Sequence, residues 1–174
     1  MTHAVDELQT TRLHLLRMRE DDFDDLARMH RDERVMATLG GVRSDAKTQA
    51  VLEGLLAHWD MHGFGVWTLR EPGTGRFAGR GGLRLLEVEG RPELEVLYGF
   101  MPDFWGQGLA TEVAAESVRV AFEELGRDEL VCFTLPTNLA SRRVMEKVGF
   151  RYEKDFVRLD LPHVLYRLRT PGQT

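Results

Sequence analysis

The chain has one cysteine, Cys132, so no internal disulfide can form and packing must hold the fold; that is in keeping with a cytoplasmic setting. It has no apolar run near the ~20 residues of a membrane-spanning helix, and no apolar leader core at its N-terminus. It also lacks a surplus of positive charge. With 23 Lys and Arg against 28 Asp and Glu, the net charge is −5 at pH 7, which removes any general pull towards nucleic acid. Neither nucleic acid nor a membrane is therefore an expected partner. Internal repeats, low-complexity tracts and linkers are missing too. The economical reading is one domain over residues 1–174, with 1–9 loosely attached and 170–174 a flexible tail. The 174 residues are 43% hydrophobic and 29% charged, enough for one well-buried core.

Local patterns then set out the elements. Thr11 to Met18 alternates as a strand; Asp21 and Asp22 open a helix carrying Phe23, Leu26 and Met29 inward, and Gly40-Gly41 breaks the chain. Ser44 is an N-cap for a helix whose stripe runs through Val51, Leu55, Leu56 and Trp59 and stops at Gly63. His58 and His62 lie four apart on it; with no third ligand nearby they read as a surface or satisfied pair, and no metal is expected. A meander follows: Phe64 to Arg70, Arg76 to Leu86 and Glu93 to Phe100, with turns at 71–75 and 89–92. Gly79, Gly81 and Gly82 mark a bulge or a close neighbour. On the third strand Glu93, Glu95 and Leu97 share one face, and Leu94, Val96, Tyr98 and Phe100 the other. A helix from Thr111 to Leu125 presents Ala110, Ala114, Val118, Ala121, Phe122 and Leu125 as a stripe. Leu130 to Leu135 is an unbroken apolar strand, and Pro136 at its end should part it from a neighbour. A helix from Asn138 to Val148, closed by Gly149, leads to a hairpin of Phe150 to Asp160 and His163 to Leu168. Together these give an α+β domain.

Trp105-Gly106-Gln107-Gly108-Leu109-Ala110-Thr111-Glu112 joins the third meander strand to the following helix. Its two glycines allow a tight turn and bring bare backbone close to a ligand; the helix start adds free N–H groups and a positive dipole end suited to phosphate. Alone, the pattern also fits an ordinary strand-to-helix connection. No Gly-Lys-Ser/Thr ending follows it and no βαβ unit precedes it, which argues against a nucleotide-binding loop.

Two segments decide the matter when taken together. The first runs from Glu93 through Glu95, Tyr98, Pro102 and the Trp105–Glu112 loop; the second is Asn138-Leu-Ala-Ser141 and its helix, closing at Gly149-Phe150. They resemble the cofactor and following-helix motifs of the GNAT N-acetyltransferase superfamily, and more narrowly its RimJ/RimL-like branch, which modifies N-terminal amines of ribosomal proteins. The order of elements matches over nearly the whole chain. The resemblance implies a mixed, mostly antiparallel sheet of about seven strands, splayed at a central V-shaped cleft, with helices on both faces. It implies acetyl-CoA as cosubstrate and an amine acceptor, either a protein N-terminus or a small amine or antibiotic. A homodimer is common in such folds. A non-catalytic CoA-binding module is the reading from a different class.

On that resemblance, N–H groups of Gln107, Gly108, Leu109, Ala110 and Thr111 cradle the pyrophosphate, and Gly106 and Gly108 leave room. Backbone near Phe100 and Met101 pairs with the pantetheine arm, and Asn138 bonds the same arm, caps its helix, or both. Trp105 stands where the wider superfamily has Gln or Arg, so a side-chain contact to phosphate is absent there. Transfer to an amine needs a proton acceptor, for which Glu95 is the candidate and Glu93 the reserve; the alternative is that Glu95 pairs with an arginine across the sheet. The superfamily's proton-donating tyrosine is replaced by Met145, leaving Ser141 as donor or as a cofactor contact, and Tyr98 as core or donor. Cys132 reads as structural, so transfer is direct, without an acyl-enzyme. Acceptor specificity should come from residues 35–45, 87–92 and 160–163, and the acidic run Glu87, Glu89, Glu93, Glu95 either draws in a cationic amine or is a solvated edge.

Overall fold

In the computed structural model, which describes residues 5–170, the strands are β1 (Glu7–Gln9), β2 (His14–Arg17), β3 (Val66–Arg70), β4 (Phe77–Val88), β5 (Arg91–Phe100), β6 (Glu129–Thr134), β7 (Arg151–Arg158) and β8 (Leu161–Arg169). The α-helices are α1 (Phe23–Arg31), α2 (Glu33–Met36), α3 (Asp45–His62), α4 (Leu109–Arg119) and α5 (Leu139–Val148). All eight strands join one sheet in the order β1-β2-β3-β4-β5-β6-β8-β7, antiparallel throughout except between β5 and β6.

The eighth strand is a correction. Residues 7–9 pair with 14–16 instead of hanging loose, and the buried Val5 accepts the Trp67 indole N–H at 2.8 Å. A three-residue strand is too short for alternation to reveal it. The loose ends expected at 1–4 and 171–174 lie outside the described residues.

Local chemistry fixes the other elements. Ser44 caps α3, accepting from the Lys47 N–H, and Gly63 closes it in the left-handed region at φ 72°. The buried residues of α3 are Thr48, Leu52, Leu55 and Trp59; of the expected stripe, Leu55 and Trp59 are buried and Val51 and Leu56 pack beside them. His58 uses both ring nitrogens, one on the Phe64 carbonyl at 2.9 Å and the other on the Leu85 N–H at 3.0 Å. Two-residue turns, Glu89-Gly90 and Leu159-Asp160, both at positive φ, make the β4–β5 and β7–β8 hairpins. A Cβ on Gly79 would stand 2.1 Å from the Gly99 carbonyl, which is the close approach its strand position suggested.

Helices cover both faces of β5. Its Leu97 packs with Leu26 of α1 and with Leu52 and Leu55 of α3, while Val96, Tyr98 and Phe100 pack on the side of Val113 and Ala114 of α4. The buried face of α4 is Leu109, Val113, Ala114 and Ser117, continuing as Val120 and Ala121 in a π-helical turn. The expected stripe lies in or against the core, with Ala114 and Ala121 buried and Ala110, Val118, Phe122 and Leu125 packed beside them. Ser117 joins the buried face because its hydroxyl bonds the Val113 carbonyl at 2.8 Å, and the π turn resets the phase.

β5 and β6 touch through a single parallel register pair, Glu95 with Val131. Beyond it β6 stops at Thr134, and a turn closed by the Asn138 N–H on the Leu135 carbonyl takes the chain out of the sheet at Pro136. The two strands part there, and a cleft opens between them.

Candidate functional site

The glycine loop lies at the cleft. Gly106 and Gly108 have φ of 70° and 78°, a conformation that costs any L side chain ~1–2 kcal/mol. Gly108 is the N-cap of α4 and offers no side chain, so the first-turn N–H groups of Leu109, Ala110 and Thr111 have no internal cap. This is an anion-accepting end. The loop is also clamped from a distance: Arg12 Nη1 donates to the Gln107 carbonyl at 2.5 Å, and its Nε and amide both donate to Glu112.

A cavity of about 840 Å³ runs from this loop through the parting of β5 and β6. Glu95, Phe100, Trp105, Gly106, Gly108, Leu109, Ala110, Thr111, Asn138 and Ser141 all line it. Met101 and Gln107 do not. The Met101 N–H donates to the Ala78 carbonyl at 2.8 Å and its side chain lines a separate hollow, so its backbone is already committed to β4. Gln107 turns outward, its amide donating to the Asp103 carbonyl at 2.9 Å. The Phe100 carbonyl accepts the Trp105 indole N–H at 2.8 Å, which gives that tryptophan a local job in shaping the loop.

Asn138 caps α5 by accepting from the Ser141 N–H at 3.2 Å and donates to Thr134 Oγ1 at 3.0 Å. Tyr98 reaches across the parting, its hydroxyl 3.0 Å from Ser141 Oγ and 3.1 Å from the Ser141 carbonyl. Burial first, then the neighbouring Cys132, pushes the Tyr98 phenol well above its ordinary range, so it remains a protonated donor. Cys132 is buried beside it; burial and the Glu95 charge push the thiol far up, which leaves no thiolate nucleophile. Met145 is fully in the core.

The carboxylates are both paired. Glu95, 3% exposed, receives Arg84 Nε at 2.9 Å and Nη2 at 2.6 Å, both on Oε2, across the β4–β5 register. Glu93 is held by Arg167 through two bonds of 2.9 Å and does not line the cavity, which removes it as a reserve base. Of the two readings of the acidic run, attraction of a cationic amine has no support at the cavity, since Glu95 alone of the four lines it, together with Arg43, Arg80 and Arg84. Of the three segments expected near an acceptor, residues from 35–43 and 161–163 line the cavity, whereas 87–92 do not.

A family model described as an acetyltransferase (GNAT) domain matches residues 12–151. The chain belongs to the GNAT acetyltransferases. It is 33% identical over 165 residues to the FsC-acetyl coenzyme A-N(2)-transacetylase of Aspergillus fumigatus, covering 88% of this chain and 68% of that one. Among solved structures, an acetyltransferase from Agrobacterium tumefaciens superposes with a TM-score of 0.84 at 25% identity over 98% of both chains. RimL, the ribosomal L7/L12 alpha-N-protein acetyltransferase in complex with coenzyme A, superposes at 0.76 with 15% identity over 94% of this chain and 97% of that one, a likeness of fold alone. The GNAT assignment makes the chain an N-acetyltransferase with the mixed α+β fold seen above.

Several residues of this GNAT cleft escape a reading of the sequence. Arg143 and Lys147 line it from successive turns of α5, a spacing that could have been noticed once Asn138 and Ser141 were placed there. Arg12 and Thr10 are joined to the loop only by the fold. Arg43 and Arg80 come from segments with no motif at all.

Proposed function

We propose that this chain moves the acetyl group of acetyl-CoA directly to a primary amine. The observation that carries the proposal is the opening between β5 and β6, which ends on the uncapped first turn of α4. Acetyl-CoA supplies a thioester carbonyl for the amine to attack. The N–H groups from Gly108 to Thr111 receive its pyrophosphate, with Arg143 and Lys147 also lining the cleft, and β5 flanks the pantetheine arm. The paired hydroxyls of Tyr98 and Ser141 deliver a proton to the departing thiolate. Glu95 takes the amine's proton through water, since Oε2 is committed to Arg84 and only Oε1 stands outside that ion pair. A protein N-terminus is the acceptor that the RimJ/RimL-like motifs favour. A small amine is the second reading, and the arginine cluster of Arg43, Arg80 and Arg84 beside Glu95 favours it.

The test is acetyl-CoA with a panel of peptides and small amines, following release of free CoA thiol. Cofactor is expected to raise the melting temperature, and at least one amine class to turn over. Binding without turnover on any amine would make the chain a CoA-binding module. Glu95→Gln is expected to lower kcat/KM by about 10²–10⁴-fold; wild-type turnover in that variant would take the base role away from Glu95.

A further inference from the structure

We infer that the acceptor carries its own oxyanion, and that Arg80, flanked by Arg43 and Arg84, receives it: the substrate is a small amine bearing a carboxylate or a phosphoryl group. The inference rests on the acetyltransfer reading of the same cleft and deepens it. Arg80 is 8% exposed, lines the cavity, and its Nε has no hydrogen-bond partner among the described residues. A buried guanidinium with an unmade donor is costly unless something brings the missing acceptor. Nothing in the fold does so, as no ion pair of Arg80 or Arg43 occurs among the described residues.

The neighbours strengthen the demand for an anion. Arg43 is steered by neutral acceptors, His30 Nε2 at 3.0 Å and the Leu39 carbonyl at 3.2 Å, so it is positioned without being neutralised. Arg84 spends two N–H groups on Glu95. Three guanidinium charges against one carboxylate leave an excess of two. Burial first, then Arg84 and Arg43, lowers Arg80 to about 10 against the opposing charge of Glu95, and burial, then Arg84, lowers Arg43.

This cluster is separate from the phosphate end of the cleft. Gly99, the register partner of Arg80, faces Met29 of α1 and Leu39, whereas the adjacent Gly81 faces Val113 of α4. Arg80 and Arg84 therefore stand on the sheet face opposite α4, and the α4 N-terminus needs neither of them. A peptide N-terminus would bring only an amide carbonyl to this place. A free amino acid or an aminophosphonate brings the charge that is missing.

The test uses the full chain with saturating acetyl-CoA and matched acceptors: amino carboxylates, aminophosphonates, and the corresponding neutral amides and esters. An acidic acceptor is expected to exceed its neutral partner in kcat/KM by about 30-fold or more, and the better of the carboxylate and phosphonate series names the anion. Arg80→Met should raise KM for the acid about 30-fold or more while KM for acetyl-CoA and the melting temperature hold or improve, and Arg80→Lys should recover part of the loss. Neutral amines or peptide N-termini that match the acids would overturn the inference. So would Arg80→Met lowering kcat equally for acids and neutral amines. A thermal-shift series with N-acetyl amino acids and their amides, each with CoA, reads the anion site without turnover. Acid-selective stabilisation lost in Arg80→Met supports the site even if no amine is acetylated, an outcome that would sink only the transfer reading; absence of that selectivity refutes the site.

Discussion

Glu112 sits one turn into α4 and collects three hydrogen bonds: the Thr10 hydroxyl at 2.5 Å, the Arg12 amide at 2.7 Å and Arg12 Nε at 2.9 Å. Burial works against its charge, but the bonds from Thr10 and Arg12 outweigh it and hold the carboxyl below its ordinary range. The same Arg12 reaches the Gln107 carbonyl, which fixes the plane of the Gln107–Gly108 peptide and with it the direction of the Gly108 N–H. Arg12 is half-exposed, so its worth lies in loop geometry more than in stability. Arg12→Ala should raise KM for acetyl-CoA about 10-fold, the equivalent of about 1.4 kcal/mol, with kcat little changed. An acetyl-CoA titration checks it; an unchanged KM would show that the loop holds its shape without the clamp.

Helices α1 and α3 meet through a histidine that has to stay neutral. Arg43 can only donate, so His30 Nε2, 3.0 Å away, is the acceptor, and Nδ1–H donates to Thr48 Oγ1 at 2.9 Å. Burial first, then Arg80 and Arg43, lowers His30 from 6.5 to about 3. Between those values the unfolded chain binds a proton that the folded chain refuses, so stability falls as pH falls, by about 1.4 kcal/mol per unit. Urea unfolding at pH 7 and pH 5.5 should show wild type losing about 1 kcal/mol more than His30→Gln; equal losses would refute the neutral-histidine reading. Features of this kind mark the limit of what sequence discloses about elements. Ser44, Gly63, Asn138 and Gly149 could be read in advance because capping is decided within a few residues. The turn of α4 could not, since a buried Ser117 and a π turn are invisible to apolar spacing. Nor could the junction of His30, Thr48, Arg43 and Arg80, because nothing local links those positions. In the site the glycine loop was legible as a motif, whereas the pairing of Glu95 with Arg84 depended on the β4–β5 register.

The molecule as a whole is a sheet in two leaves, β1 to β5 and β6-β8-β7, joined by one ladder pair. So little backbone pairing puts the burden on side chains, and Arg167 of β8 carries much of it. It makes two bonds of 2.9 Å to Glu93 of β5 and further ion pairs to Glu129 of β6 and Glu153 of β7. Arg167 and Glu93 are 7% and 8% exposed, so removing the arginine strands a buried carboxylate. Arg167→Met should cost about 3–5 kcal/mol, a large share of the ~5–15 kcal/mol typical of a folded domain. The pair itself contributes far less than that loss suggests, because its desolvation offsets its attraction. Arg167→Met combined with Glu93→Leu should therefore recover most of the stability. Glu95 lies two residues along β5 from Glu93, at the ladder pair where the cleft begins to open. Loosening the leaves in the single variant should then weaken acetyl-CoA-dependent stabilisation, and the double variant should restore it. Thermal unfolding of both variants with and without acetyl-CoA decides the point. If the double variant regains stability but not cofactor binding, the Arg167 cluster sets the shape of the cleft as well as holding it shut at one end.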